Sequence, residues 1–521
     1  MLKLPHNISP TSSEENDTFA TRRTDEIVVA LVGPIGAGAS TCAQLISEIL
    51  REDYSYEISF YKMSDIINSC AELVGESAVK AVGADRISSL QELGNSIRKE
   101  FGLAFLSEKC VERIAIARTD GGYQKVNEAL VPTGRRCAHI IDSVKNPSEV
   151  RLLRDVYGDM FWLMAVNAPE EVRRARLQYK GVEREKLDDV IVRDEGEKVT
   201  YGQNVTDTAQ LADFFIRNDE DKDERLRNSI KRYFDIIFGV NVLTPTTDES
   251  AMYHAVSAGA KSACLSRSVG AAIYSEKGEL ISVGWNDVPK FKGGLYTADD
   301  GLKDNRCHVW GDKICHNDYH KNRLYEQIIV RLGEAVEVPE GISAEMLRIL
   351  SGTDLRNLIE FSRAVHAEME AILSAARKGS SSLERATMYV TTFPCHACAR
   401  HIVASGIQRV IYVEPYPKSL ALKLHADAVS IRESDMGSKL VFLQYEGVAP
   451  KNHIRLFKHG NERKEQGKLV VKERKKARPV YQPAIDGFAT NEQLVVRCLK
   501  DRLERRSAIG GTTRDEQTKG S

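Results

Sequence analysis

His366 stands far along the chain from the pair Cys395 and Cys398, yet the three are soft, metal-competent side chains. To act together they need a fold that brings two distant segments to one point. The local pattern supplies such a path. A helix carries His366 and Glu368, Ala386–Val390 reads as a strand, and Cys395–Ala404 reads as a second helix. Alternating helix and strand predicts an α/β architecture for this region.

The spacing defines the chemistry. Cys-x-x-Cys at a helix N-terminus lets two thiolates face one metal, and the helix dipole with its free amides favours their charged form. Three protein ligands, His366, Cys395 and Cys398, leave a fourth zinc position for water, whose pKa then falls towards about 7. Glu368 follows His366 by two residues and falls beside the metal rather than on it. There it is expected to take the water proton, protonate a ring nitrogen and hand a proton to a departing amine. With Pro394, the pattern is H-x-E…P-C-x-x-C, the signature of zinc-dependent nucleobase deaminases. A lone Cys-x-x-Cys is otherwise often a structural zinc knuckle or a redox pair, but a closed structural site needs a fourth ligand.

The approach to this motif narrows the expectation. Ser262-Ala263-Cys264-Leu265-Ser266-Arg267-Ser268-Val269-Gly270-Ala271, followed by Gly284-Trp285-Asn286, resembles the run that precedes H-A-E and P-C-x-x-C in deoxycytidylate deaminases. The resemblance covers about 252–440. It implies a free deoxycytidine nucleotide as substrate and a sugar contact for Asn286, although Trp-Asn-Asp is also a good turn sequence. Trp285 replaces the tyrosine usual in that family. Between this hairpin and His366 lies an insertion, roughly 289–358, in which Cys307, His308, Cys315, His316 and His320 crowd together. Three readings stay open for it. Cys307, Cys315 and His316 hold a second, structural zinc; the histidines line the site mouth and meet phosphates; or the segment is an exposed polar loop.

A separate signal opens the chain. The apolar run Ile27–Val32 leads into Gly33-Pro34-Ile35-Gly36-Ala37-Gly38-Ala39-Ser40-Thr41, then an amphipathic helix. This matches a P-loop, in which Gly33, Gly36 and Gly38 let amides cradle phosphates and Ser40 or Thr41 holds Mg2+ with a nucleotide. The lysine that reaches the β/γ-phosphates is replaced by Ala39, which should weaken phosphoryl transfer severely. Ile141–Val150, Ala168–Arg173 and Ala212–Asn218 resemble segments of small nucleotide kinases and dephospho-coenzyme A kinases. A kinase fold with a damaged loop implies a sensor or control module; a scaffold that binds nothing is the plain alternative.

The fold class expected is therefore α/β twice over: a P-loop nucleotide-kinase-like parallel-sheet domain at 25–240 and a cytidine-deaminase-like α/β/α domain at 250–480. Residues 1–24 are expected to form a disordered tail, and 481–521 a C-terminal helix with a disordered end over the last fifteen residues. A net charge of −1 and the lack of an aromatic-basic stripe argue against a nucleic-acid substrate. No apolar run is long enough to span a membrane, no secretory h-region is present, and scattered cysteines fit a reducing cytoplasm.

The domain order, with Glu414–Ser419 and Leu424–Ala428, resembles the bacterial anti-phage deoxycytidine nucleotide deaminases. That resemblance implies conversion of dCTP and dCMP to dUTP and dUMP, depletion of dCTP during infection, and control by a nucleotide or phage-derived effector at the N-terminal domain. Homo-oligomers are common in this deaminase family. Two other expectations compete: a housekeeping dCMP deaminase supplying dUMP, and a nucleotide-binding sensor or scaffold.

Overall fold

Ile27–Val32 forms β1 with every residue buried, as expected of a strand flanked on both sides by parallel neighbours. The computed structural model describes residues 22–126, 129–196, 199–219, 223–335, 342–379, 382–458 and 463–517. The chain divides into two units, one of Met1–Thr244 with Glu446–Ser521, the other Pro245–Tyr445.

In the first unit β1 is followed by α1 (Ala39–Glu52), β2 (Glu57–Lys62), α2 (Gly83–Phe101), α3 (Phe105–Asp120), β3 (Cys137–Asp142), α4 (Pro147–Tyr157) and β4 (Phe161–Asn167). Then come α5 (Glu170–Tyr179), α6 (Leu187–Gly196), β5 (Phe214–Arg217) and α7 (Asp223–Phe238). Strands β1, β3 and β4 are apolar runs buried along their whole length. The edge strand β2 is mostly exposed, with Tyr61 its one buried residue. Sequence reasoning did not single it out, since its polar/apolar alternation runs only over Glu57–Phe60.

The second unit runs α8 (Thr247–Gly259), β6 (Gly270–Tyr274), β7 (Leu280–Trp285), α9 (His316–Ala335), α10 (Ser343–Ser351) and α11 (Ala367–Arg377). It continues through β8 (Thr387–Thr392), α12 (His396–Ala404), β9 (Arg409–Glu414), β10 (Val429–Ser430) and β11 (Leu440–Gln444). Its sheet order is β10-β11-β9-β8-β6-β7. The β6–β7 hairpin is antiparallel, β8 pairs antiparallel with β6, and β8–β9, β9–β11 and β11–β10 are parallel. Helix α8 stops at Gly259. Its end lies against Gly270, where a Cβ would stand 1.9 Å from the Ala255 carbonyl oxygen.

The chain then returns to the first unit. Gly447–Val448, β12, pairs antiparallel with β5, giving the order β12-β5-β4-β1-β3-β2. Ala449 N–H and the Asn452 amide both bond to Asp213 just before β5. The stretch 446–480, expected to close the deaminase-like domain, therefore belongs to the other unit. A two-residue strand offers no periodicity from which to read that return.

The last helix, α13 (Ile485–Gln517), also packs in the first unit. Its Glu492 carboxylate receives the guanidinium of Arg118 on α3 at 2.9 and 3.0 Å, and Arg118 also bonds to Glu26 beside β1. All three groups are almost completely buried. Helix α13 extends to Gln517, into the stretch expected to be disordered, because elongating an anchored helix is far easier than nucleating one. Of that expected tail, 518–521 lies outside the described residues. At the other end the last residues of the expected tail 1–24 belong to the fold, since Arg23 bridges Ala484 and Thr24 is buried. Residues 1–21 lie outside those described.

No described helix is long and apolar enough to cross a membrane. Helix α11 lies so close over β7 that a Cβ on Gly284 would stand 2.2 Å from the Ala367 carbonyl oxygen and 2.3 Å from the Ala371 nitrogen. We expect Gly284→Ala to destabilise the second unit by about 3 kcal/mol in urea unfolding, because the obstructing atoms are backbone. Gly333→Ala, on α9 with nothing within 4 Å, should leave stability unchanged or raise it.

Candidate active site

The site begins where β7 ends. Val365 N–H bonds to the Asp287 carbonyl at 3.0 Å, so the chain enters α11 from an extended bridge beside the hairpin. His366 is the N-cap of α11, in extended conformation, and Glu368 lies in the first turn. Cys395 is likewise the N-cap of α12, its Sγ accepting the Cys398 amide at 3.4 Å. Two helix N-termini thus meet at one point, and their partial positive charge favours thiolates there.

His366 Nδ1 lies 3.4 Å from Cys395 Sγ and 3.3 Å from Cys398 Sγ. One donor atom from each residue falls within 4.8 Å of the others, and this is the one such group found among the described residues. A tetrahedral centre with bonds of about 2.0–2.3 Å puts neighbouring donors about 3.5 Å apart, so this set fits zinc in size and in chemistry. The hydrogen bond from Cys398 holds the Cys395 thiol far below its ordinary range, with His366 adding to the effect, while Cys398 is pushed up by the proton it shares. His366 is raised to about 9 by its bond to Cys395. Burial raises the Glu368 carboxyl, which is 4% exposed, above the usual carboxylate range.

His366, Glu368 and Cys395 form the floor of a pocket of about 230 Å3 whose walls include Arg267, Asn286, Phe393 and Tyr416. Asn286 is in the wall, as expected from sequence, but both ends of its side chain are engaged. Its Nδ2 donates to the Arg267 carbonyl at 2.7 Å, and its Oδ1 accepts the Val269 amide at 2.7 Å. It pins the Arg267–Val269 segment. Asp287, next to it and buried, accepts the amides of Ala263 and Val288.

Sequence reasoning did not single out Arg267, Phe393, Tyr416 or Asn317, all of which line the pocket. Arg267 sits inside the run that resembles deoxycytidylate deaminases, Phe393 precedes Pro394, and Tyr416 lies in Glu414–Ser419; position within those runs was the available signal. Asn317, on α9, had none.

The insertion does not gather Cys307, Cys315 and His316 around one point by the same 4.8 Å measure. Cys307 faces Arg363, with Sγ 3.9 Å from Nη1, and Cys315 faces Ser266 at 3.2 Å. His316 opens α9 and stacks against Trp310 and His320 instead.

In the first unit, Gly33–Gly38 forms the turn between β1 and α1, with Gly36 at φ 82° and Gly38 at φ 90°. A Cβ on Gly38 would lie 2.3 Å from Asn218 Nδ2. Ala39 is buried, whereas Ser40 and Thr41 are exposed at the start of α1.

Residues 245–414 match the sequence model of the cytidine and deoxycytidylate deaminase zinc-binding region. Deoxycytidylate deaminase of enterobacteria phage T2 is 33% identical over 163 residues, 30% of this chain and 75% of that protein. The phage T4 enzyme is 34% identical over 163 residues, 30% of this chain and 73% of its own length. Among solved structures, the dCMP deaminase of cyanophage S-TIM5 with dCMP and dUMP aligns at 18% identity and a TM-score of 0.23, over 39% of this chain and 99% of that one. At such identity to phage deaminases, and over so much of their length, the chain belongs, through its second unit, to the cytidine and deoxycytidylate deaminase family.

Proposed function

We propose that the chain hydrolyses the 4-amino group of free deoxycytidine nucleotides, acting on dCMP and dCTP. The observation that carries this reading is the meeting of His366, Cys395 and Cys398 donors beside a buried Glu368, inside the segment that matches the family. His366, Cys395 and Cys398 would hold zinc. Bound there, zinc supplies Lewis-acid activation that makes water nucleophilic near neutral pH.

The remaining work falls to the chain's own residues. The Glu368 carboxylate takes a proton from the attacking water and gives it to ring N3 as the C4–O bond forms. It then takes the second hydroxyl proton and delivers it to the amine, which leaves C4 as ammonia while the carbonyl is completed. Asn286 holds the Arg267–Val269 wall in place through its two hydrogen bonds. Phe393 and Tyr416 in the pocket wall offer aromatic surface against a base, and the free-nucleotide reading rests on the deoxycytidylate deaminase relatives.

The first unit would act as the control element, a phosphate-recognising module without competent phosphoryl transfer, since Ala39 offers no cation. The order of a kinase-like half and a deaminase half supports a role in anti-phage defence by depletion of dCTP. A housekeeping supply of dUMP is the second reading, favoured by the T2 and T4 relatives being deoxycytidylate deaminases.

Glu368→Gln is expected to lower the deamination rate by about 10^2–10^4, the usual contribution of a positioned acid/base, without loss of bound zinc in metal analysis. Cys395→Ser should lose both metal and activity. Chromatography of dCMP and dCTP incubations compares the substrates directly: turnover of both is expected, and turnover of dCMP alone favours the housekeeping reading. In cells, nucleotide pools by mass spectrometry should show dCTP falling on infection with the parent chain and not with Glu368→Gln. A constant fall in uninfected cells would remove the control element from the proposal.

A further inference from the structure

The glycine turn of the first unit has a charge problem, and its neighbours answer it. The first amides of α1 have no acceptor inside the helix, and its dipole favours an anion in front of them. Residue 39, where a P-loop carries its lysine, is a buried alanine. Lys145, just beyond β3, brings its ammonium to the Gly33 carbonyl at 2.9 Å. Its counter-ion is Asp194 on α6, with Oδ1 2.9 Å away. The other oxygen of that carboxylate accepts the Ile35 amide at 2.7 Å.

A buried carboxylate, 2% exposed, therefore takes a loop amide on one oxygen and a lysine on the other. A phosphate group would make the same pair of contacts.

Two arginines of α5 complete the surroundings. Arg176 donates to the Asn218 and Ala37 carbonyls at 2.9 and 3.4 Å. Arg173, 5% exposed, backs the loop at Gly36 and reaches the Ile35 carbonyl at 3.5 Å and Glu195 at 2.6 Å. Among the described residues its buried Nε has no hydrogen-bond partner. Leaving a buried donor unpaired costs about 1–3 kcal/mol.

We propose that Asp194 is an internal stand-in for phosphate: it closes the glycine loop, and a polyphosphate chain displaces it, taking the Ile35 amide and the Lys145 ammonium that replaces the missing lysine. The inference rests on reading Gly33–Thr41 as a phosphate loop. Displacement puts the Asp194 carboxylate beside like charge, so α6 moves off the loop when the phosphates arrive. Occupancy of the loop is thereby converted into a shift of Leu187–Gly196.

The test is isothermal titration calorimetry of the full chain at fixed ionic strength, with inorganic tripolyphosphate and with ATP as separate probes. Asp194→Asn should bind tripolyphosphate about tenfold more tightly than the parent, and Lys145→Gln about tenfold more weakly, each step worth about 1.4 kcal/mol. Adding Ala39→Lys to Lys145→Gln should restore binding. Tighter binding of ATP than of tripolyphosphate assigns the ligand as a nucleotide, and equal binding assigns it as the phosphate chain alone. If the parent binds and neither single variant changes its affinity, the loop reading stands and the role of Asp194 and Lys145 is overturned. If neither probe binds the parent or Asp194→Asn, the loop reading fails as well. Deamination is read separately and is untouched by either result. Should Asp194→Asn not fold, hydrogen exchange on the parent chain decides: tripolyphosphate must protect 33–41 and speed exchange in 187–196, and no change in 187–196 refutes the displacement.

Discussion

The close approach of α11 to β7 at Gly284 is the contact on which the second unit's site depends. With no Cβ at 284, the helix backbone settles onto the hairpin, and the start of the helix is fixed where β7 ends. His366 and Glu368 belong to that first turn, so their positions follow from backbone packing rather than from side-chain adjustment. A second helix start, at Cys395, brings the two thiols to the same point. The donor separations of 3.3 and 3.4 Å require both approaches to hold within a few tenths of an ångström. A site assembled from two helix N-termini on one sheet has that rigidity, and it has the electrostatics as well. Each terminus adds partial positive charge where thiolates must be stabilised.

The metal-binding set was legible in the sequence because its information is local. Cys-x-x-Cys and His-x-Glu each lie within one helical turn, and turn geometry is a property of a few residues. The strongly apolar strand β1 was legible for a similar reason, since burial on both faces leaves a continuous run. Strand β2 was not, because an alternation of four residues is a weak period. Gly447–Val448 was not, because two residues carry no period. The pocket walls lie between these extremes. Arg267, Asn317, Phe393 and Tyr416 come from four segments, and what joins them is the fold itself. The insertion shows the converse error. Crowding of Cys307, Cys315 and His316 in the chain suggested one centre, but α9 begins at His316 and turns its ring towards Trp310 and His320.

The first unit places its glycine turn at the carboxyl end of β1, between β3 and β4, the position where open parallel sheets form their ligand crevices. Residue 39 offers no cation, but Lys145 from beyond β3 and Arg173 and Arg176 from α5 converge on the turn. What distinguishes it from an open cradle is the carboxylate of Asp194, held by the loop's own amide. The deaminase unit is inserted into this one: the chain leaves at Thr244 and returns at Glu446, and β12 and α13 complete the first unit only after the second has been made. The Arg118–Glu26–Glu492 network ties the beginning of that unit to its end. Truncation after 445 would leave Arg118 buried with half its carboxylate partners removed.

Asn286 shows how a motif residue can hold a pocket wall in place. One N–H of its amide goes to the Arg267 carbonyl, and its oxygen accepts from Val269. What remains is the second N–H of Nδ2 and the second lone pair of Oδ1. Arg267, in the same wall, is a part-exposed cation that pairs with Glu414, whose carboxylate also accepts from Thr392. An anion approaching that guanidinium would compete with Glu414 for it, and the outcome would depend on the charge the anion carries.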